Sequence, residues 1–410
     1  MTIGQLGMKH PSLGGMVTAI KSQITREALH YRFSKEAAAL LLKCLQFVLK
    51  QKISHIGTID TKLLRPFRRV LLVDSSSWDV NEKLRDILPG SGGSASSANC
   101  KLQTVYDYKR GELIFMDVTK GTCPDNRYTD NLVGILKKGD LILMDQGYFK
   151  LTTFAGIIKK GAFFLTRFLV GTGLTDALTN ASINLAERLN KLQDDATEMD
   201  VLMGSGKSPR VPCRLIALRV SEQIANERRR RLKKTAVKKG RIVSKHHLCM
   251  CDWTLLTTNV PQQWLPMKMV RILYTVRWQI ELLFKQFKSI LRVHQSDTGK
   301  ENRLRCELYG KLIGAVLIHR IHATETNRLW NSKRREVSMD KFHKRFQERA
   351  FTLLCLLLAS VSAAVAYMHN QIIRIIPDCL KERQRSRMTT LECLEDQHDP
   401  MLKIKEPSMK

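Results

Sequence analysis

Acidic residues are scarce in this chain. Asp and Glu number 38 against 68 Lys and Arg, a formal net charge of +30 over 410 residues, and the pI is near 9.9. An excess of that size points to a polyanionic partner. The basic residues are spread through folded-looking sequence, which favours nucleic acid over a membrane surface. Regular cysteine spacing is also lacking: the ten cysteines fall at 44, 100, 123, 213, 249, 251, 306, 355, 379 and 393. With no signal peptide at the start, such scatter predicts reduced thiols in the cytoplasm rather than a disulfide framework. Long apolar runs are missing with one exception, the 19 uncharged residues AFTLLCLLLASVSAAVAYM at 350–368. That length is close to the minimum for a membrane span. Ser360, Ser362 and several alanines interrupt it, no second span could partner it, and a buried core helix is the expectation.

Other signatures fail on inspection. The loop GSGGS at 90–94 lacks the Lys-Ser/Thr of a nucleotide-binding loop and reads as a flexible connector. His246, His247, Cys249 and Cys251 have no second cysteine pair nearby, and the cysteines read as the start of an apolar strand, so zinc is not expected. There is no internal repeat.

What is present is an ordinary globular composition, 43% hydrophobic with a mean hydropathy of −0.21, in a chain long enough for two or three domains. Residues 1–66 read as an N-terminal helical region, possible as part of a DNA-end-binding domain; Ser34 caps the apolar run that follows it. Residues 67–154 read β-β-β-α-β. A strand Arg69–Asp74 is followed by alternating runs at 101–108 and 112–119 across a Lys109-Arg110-Gly111 hairpin, a helix at 129–139 and a strand at 141–145. A right-handed crossover would place the fourth strand beside the first and bring Asp74 and Asp145 to one sheet edge. The fold class expected is therefore α/β, with a ribonuclease-H-like core. Residues 155–262 read as a β-rich insertion whose basic loop carries ten Lys or Arg between Glu227 and Lys245. Residues 263–330 complete the core with a long helix over 268–293, and 331–410 form a C-terminal helical region ending in a polar tail from about 381.

That long helix is the most informative stretch. Tyr274, Arg277, Glu281 and Lys288 fall within a roughly 60° arc at about 100° per residue, and Lys285 joins the same stripe. Ile272, Val276, Ile280, Leu283, Phe287 and Ile290 take the opposite face. One face packs; the other presents a single carboxylate among cations. In-line cleavage of a phosphodiester is helped by two Mg²⁺ ions about 4 Å apart. Magnesium prefers carboxylate oxygens, and Asp74, Asp145 and Glu281 are the candidates to hold it, with Mn²⁺ able to substitute. Tyr274, Arg277, Lys285 and Lys288 would grip phosphates beside the cut.

These residues carry a resemblance to the insertion-sequence-four family of DDE transposases, which includes the Tn-five type. Its hallmark is Tyr, two residues, Arg, three residues, Glu, six residues, Lys, and Tyr274, Arg277, Glu281 and Lys288 match it throughout. Asp145-Gln146-Gly147-Tyr148-Phe149 resembles the surroundings of the family's second aspartate, whereas Asp74-Ser75-Ser76-Ser77 has serine where a threonine is usual. Trp253 stands where relatives that cut through a DNA hairpin stack a tryptophan on a flipped base. The resemblance implies divalent metal, a homodimeric synaptic complex on double-stranded element ends and target, and cut-and-paste transfer, in the nucleoid of a bacterial or archaeal cell without membrane attachment. The alternatives are a ribonuclease-H-like nuclease without strand transfer, and a non-catalytic DNA binder that inhibits transposition.

Overall fold

The computed structural model describes residues 24–51, 57–93, 95–382 and 388–397, with Gly15 and Val17. Most of the expected region before the first helix, Ser94 of the glycine-rich loop, and 383–387 and 398–410 of the expected tail lie outside the described residues. Among the described residues nine strands follow one sheet order, β3-β2-β1-β4-β5-β9-β8-β7-β6. They are β1 (Arg69–Asp79), β2 (Asn99–Asp107), β3 (Glu112–Lys120), β4 (Asp140–Met144), β5 (Phe163–Arg167), β6 (Leu174–Asp176), β7 (Ala196–Met203), β8 (Val211–Arg219) and β9 (Trp253–Thr258). The fourth strand therefore neighbours the first, as the β-β-β-α-β reading expects. The chain divides into two compact units. One comprises Met1–Asp60, Val73–Cys123 and Trp278–Arg387, the other Thr61–Leu72, Pro124–Arg277 and Met388–Lys410, so β1 contributes to both.

In the first unit, β2 and β3 form an antiparallel hairpin from Cys100↔Lys120 to Asp107↔Glu112. The 33-residue helix Glu301–Lys333 packs with the helix Lys35–Lys50 and with β3. Ser34 accepts a hydrogen bond from Ala37 N at 3.2 Å, as a serine N-cap should. At the hairpin turn Gly111 has φ +70° and no room for a side chain, since a Cβ there would stand 2.3 Å from that of Ala323.

In the second unit β4 runs parallel to β5 with Leu141 opposite Phe163. Strands β5, β9, β8, β7 and β6 then pair antiparallel in sequence. Burial follows composition: every residue of β4 is buried, as expected for a run covered on both faces. The first residue of β1 is held by charge. Asp140 is fully buried and accepts from Arg69 Nε at 3.0 Å, from the Arg69 guanidinium a second time, from Arg68 at 3.1 Å and from the Lys137 amide at 2.8 Å. Arg69 also donates to Ile135 O at 3.0 Å. Removing one member of such a set strands a buried charge, so Asp140→Ala is expected to cost roughly 3–5 kcal/mol in urea unfolding. A loss below about 1 kcal/mol would show that the network does not hold β1.

Four expectations are corrected. The helix expected over 268–293 is two helices, Met267–Thr275 and Trp278–Ser289. At the break Thr275 Oγ1 donates to Ile272 O at 2.7 Å, while the Val276 and Arg277 amides turn to Leu273 O and Tyr274 O, three residues back. Two β-branched residues in succession and a hydroxyl competing for a helix carbonyl account for the interruption. The basic run expected as a loop is mostly a helix, Glu222–Lys238, because Glu, Arg, Leu, Lys and Ala are all strong helix formers and glycine first comes at 240. Cys249 lies in the helix Lys245–Met250 and Cys251 caps it, so neither begins a strand. The apolar run at 350–368 is not one core helix. Ser360, at φ −160°, separates Ala350–Ala359 from Val361–Ile375, and Phe351, Leu357, Val361 and Val365 remain 36–67% exposed. Among the described residues no helix is long and apolar enough to cross a membrane.

Candidate active site

The sequence-predicted residues fall into two groups, one in each unit. In the first unit, Asp74 lies within β1 at the point where its residues pass from buried to half-buried. The Ser75 amide donates to its Oδ1 at 2.8 Å, a bond that fixes the carboxylate against its own backbone. Ser76 and Ser77 continue the strand, expected to end at Asp74, on to Asp79.

Glu281 lies in the first turn of the helix Trp278–Ser289, a favourable end for a carboxylate. Ile280, Leu283, Phe284 and Phe287 are buried, and Glu281 itself is half-buried. At the other end Lys288 Nζ donates to Ser77 O at 2.8 Å and stands 5.7 Å from the Trp78 ring centre. Burial pushes the Lys288 ammonium below the usual lysine value. Lys285 is exposed. Seven residues of helix from Lys288 to Glu281 and three of strand from Ser77 to Asp74 each span about 10 Å.

In the second unit, Asp145 follows the last residue of β4 in extended conformation and heads a short 3₁₀ turn, Gln146–Tyr148, without spending its side chain on a cap. Gln146 Nε2 donates to Phe168 O at 2.8 Å, and Tyr148 is buried. The Tyr274 hydroxyl donates to Met144 O at 3.4 Å, one residue before Asp145. Burial, foremost, raises the Tyr274 phenol above its ordinary value; the Arg277 charge opposes this and the Asp145 charge adds to it. Tyr274 is thus not a surface residue waiting for a phosphate: it is 8% exposed and ties its helix to the end of β4. The cations beside its ring are guanidinium ions. Arg277 and Arg167 each stand 5.9 Å from the Tyr274 ring centre.

Arg167 was missed in the sequence because it sits inside an apolar strand run; the one available signal was a lone cation in FFLTRFLV. Trp253 is placed differently from its expected role. The residue is 3% exposed, and the Arg219 guanidinium stands over its ring, 4.4 Å from the ring centre. A strand residue whose neighbours alternate into a packed sheet is buried by that pairing, and no face of the ring is open to a base in this conformation. Among the described residues no group of three or more His, Cys, Asp or Glu side chains is arranged to hold a metal ion.

Comparison with known proteins places this geometry in context. The model of the transposase DDE domain matches residues 65–317, a span that includes Asp74, Asp145 and Glu281. The transposase for insertion sequence element IS231F of Bacillus thuringiensis subsp. israelensis is 30% identical, over 80% of this chain and 72% of its own length. The transposase for insertion sequence element IS1151 of Clostridium perfringens is 27% identical, over 77% of this chain and 70% of its own. A solved piggyBac transposase synaptic complex with hairpin DNA aligns at a TM-score of 0.44 and 10% identity, covering 94% of this chain and 76% of that one, too loose a likeness to assign a fold.

Proposed function

The chain belongs to the family of transposases with a DDE domain, and from that premise we propose that it cuts and joins DNA at the inverted-repeat ends of an insertion sequence, by cut-and-paste transfer. The observation that carries the reading is the family match over 65–317, which spans all three candidate carboxylates. The strand order β3-β2-β1-β4, with the helix Thr129–Ile135 between β3 and β4, supports a ribonuclease-H-like core.

Asp74, Asp145 and Glu281 would hold the divalent ions, Mg²⁺ or Mn²⁺. Their donor chemistry fits, since hard cations take carboxylate oxygens, and carboxylates repel one another until a cation lies between them. When bound, such ions supply Lewis-acid stabilisation of the attacking and leaving oxygens. The remaining work falls to the chain's own groups. Arg277 and Arg167 offer planar forks suited to phosphate oxygens. Lys288, fixed on Ser77 O, and exposed Lys285 add point charges along the helix that carries Glu281. Tyr274 keeps its proton and orients the strand end that carries Asp145. A homodimer holding two ends in one synaptic complex completes the proposal.

The test is a labelled fragment flanked by the repeats of the chain's own element, incubated with the protein and Mg²⁺ or Mn²⁺. Joined strand-transfer products are the expected result. Nicks without joining would favour a nuclease, and a gel shift without cleavage would favour a non-catalytic binder.

A further inference from the structure

The helix Glu222–Lys238 carries a surface that the proposed chemistry does not use. One side of it is committed to the fold. Ala225 is buried, and Arg228, Leu232 and Ala236 are half-buried; these four recur at helical spacing on one stripe. Arg228 donates to Trp253 O at 2.9 Å and to Thr254 Oγ1 at 3.0 Å, at the start of β9. Arg229 pairs with Asp252 and Arg231 with Glu227.

The opposite side is different. Arg230, Lys233, Lys234 and Lys238 are all exposed, Arg230 lying three and four residues before Lys233 and Lys234 and Lys238 four after Lys234, and they make no ion pair among the described residues. Like charges at that spacing cost about 0.2–0.5 kcal/mol per pair. Elsewhere the chain matches such cations with carboxylates one turn away, as in Lys191–Glu187 at 2.7 Å, Lys344–Asp340 at 2.8 Å and Arg305–Glu301 at 2.8 Å. A self-repelling stripe on a helix whose other face is clamped gains stability from an external row of anions. From Arg230 to Lys238 the helix rises about 12 Å, and one strand of duplex DNA presents a phosphate about every 3.4 Å along its axis. Four cations over that length correspond to three or four phosphates.

We propose that Arg230, Lys233, Lys234 and Lys238 form a sequence-independent clamp on the backbone of duplex DNA. The proposal rests on the transposase reading. It assigns the stripe to affinity and not to chemistry, because the four side chains read charge alone and make no base contact. The experiment measures anisotropy of a labelled duplex of about 40 base pairs and arbitrary sequence, bound by the full chain across a salt series. The variant is Arg230→Gln, Lys233→Gln, Lys234→Gln and Lys238→Gln together. A control removes four other exposed cations of the same unit, Lys137→Gln, Lys138→Gln, Lys159→Gln and Lys160→Gln. The stripe variant is expected to lower the slope of log affinity against log salt by about 2–4, and to weaken binding at least roughly tenfold near 0.1 M salt. The control should keep the wild-type slope within about 1. Equal losses in both variants would mean that net charge alone is at work and would overturn the clamp. So would an unchanged slope in the stripe variant, with the transposase reading left standing. A wild-type chain that fails to bind duplex at all would sink both.

Discussion

Glu281→Gln is expected to abolish cleavage and joining, by about a thousandfold or more, while duplex affinity changes less than about threefold. Losing a hard ligand of a catalytic ion removes several kcal/mol of transition-state stabilisation, and each 1.36 kcal/mol is about tenfold in rate. Glutamine has nearly the same shape and keeps the helix propensity of glutamate, so the substitution isolates charge. The fold gives little reason for collateral damage. The helix Trp278–Ser289 is held by Ile280, Leu283, Phe284 and Phe287 and by the Lys288–Ser77 bond. Cleavage of a labelled repeat-flanked fragment, with circular dichroism as the check on folding, decides the matter. Cutting within about tenfold of the wild type, by a variant of unchanged helicity, would remove Glu281 from the catalytic set.

How much of this was legible beforehand depended on the range of the interactions involved. Short apolar runs with alternating neighbours marked β1, β2, β3 and β4 close to their observed positions, since strand burial is written at period two. The end of β1 was not legible: Ser75, Ser76 and Ser77 carry turn residues' propensities, and tertiary pairing alone keeps them extended. The Arg69–Asp140 contact, 71 residues apart in sequence, leaves no local trace. Periodicity misled at Val276, where apolar spacing continues across a real helix break. Counting charge misled at 228–238, where propensity favoured a helix over a loop. Hydropathy misled at Ser360, where one hydroxyl capping Ala363 at 3.3 Å ends the run. For the site, the spacing of Glu281 and Lys288 was readable because both lie on one helix. The burial of Tyr274 and the covering of Trp253 by Arg219 belong to the packing of distant segments and were not.

A second large effect concerns stability in acid. His319 and His322 on the helix Glu301–Lys333 and His343 on the helix Met339–Gln347 meet in the core of the first unit, with ring centres 5.9, 6.1 and 6.4 Å apart. The Tyr106 ring stands 5.2 Å from that of His319. His322 Nε2 donates to Val337 O at 3.0 Å, whereas both ring nitrogens of His319 and of His343 have no hydrogen-bond partner among the described residues. Burial, reinforced by the His322 and Arg320 charges, pushes His319 down to about 3, and burial brings His322 to about 4. His343 is also lowered, by burial first and then by the other two imidazoles. All three are therefore neutral at pH 7 in the folded chain and mostly neutral in the unfolded one, and contribute little pH dependence there. Below the unfolded value of 6.5 the unfolded chain takes up protons that the folded one refuses. Stability then falls with pH until the folded values are reached, by roughly 1–2 kcal/mol per histidine between pH 6.5 and 5. Three together approach about 5 kcal/mol, comparable to the whole stability of many domains. Urea unfolding across that range should show the fall, and His319→Leu should flatten it by about a third without destabilising the chain at pH 7, since leucine leaves no buried nitrogen unpartnered. An unaltered acid slope in that variant would show that the imidazoles are not the groups being titrated.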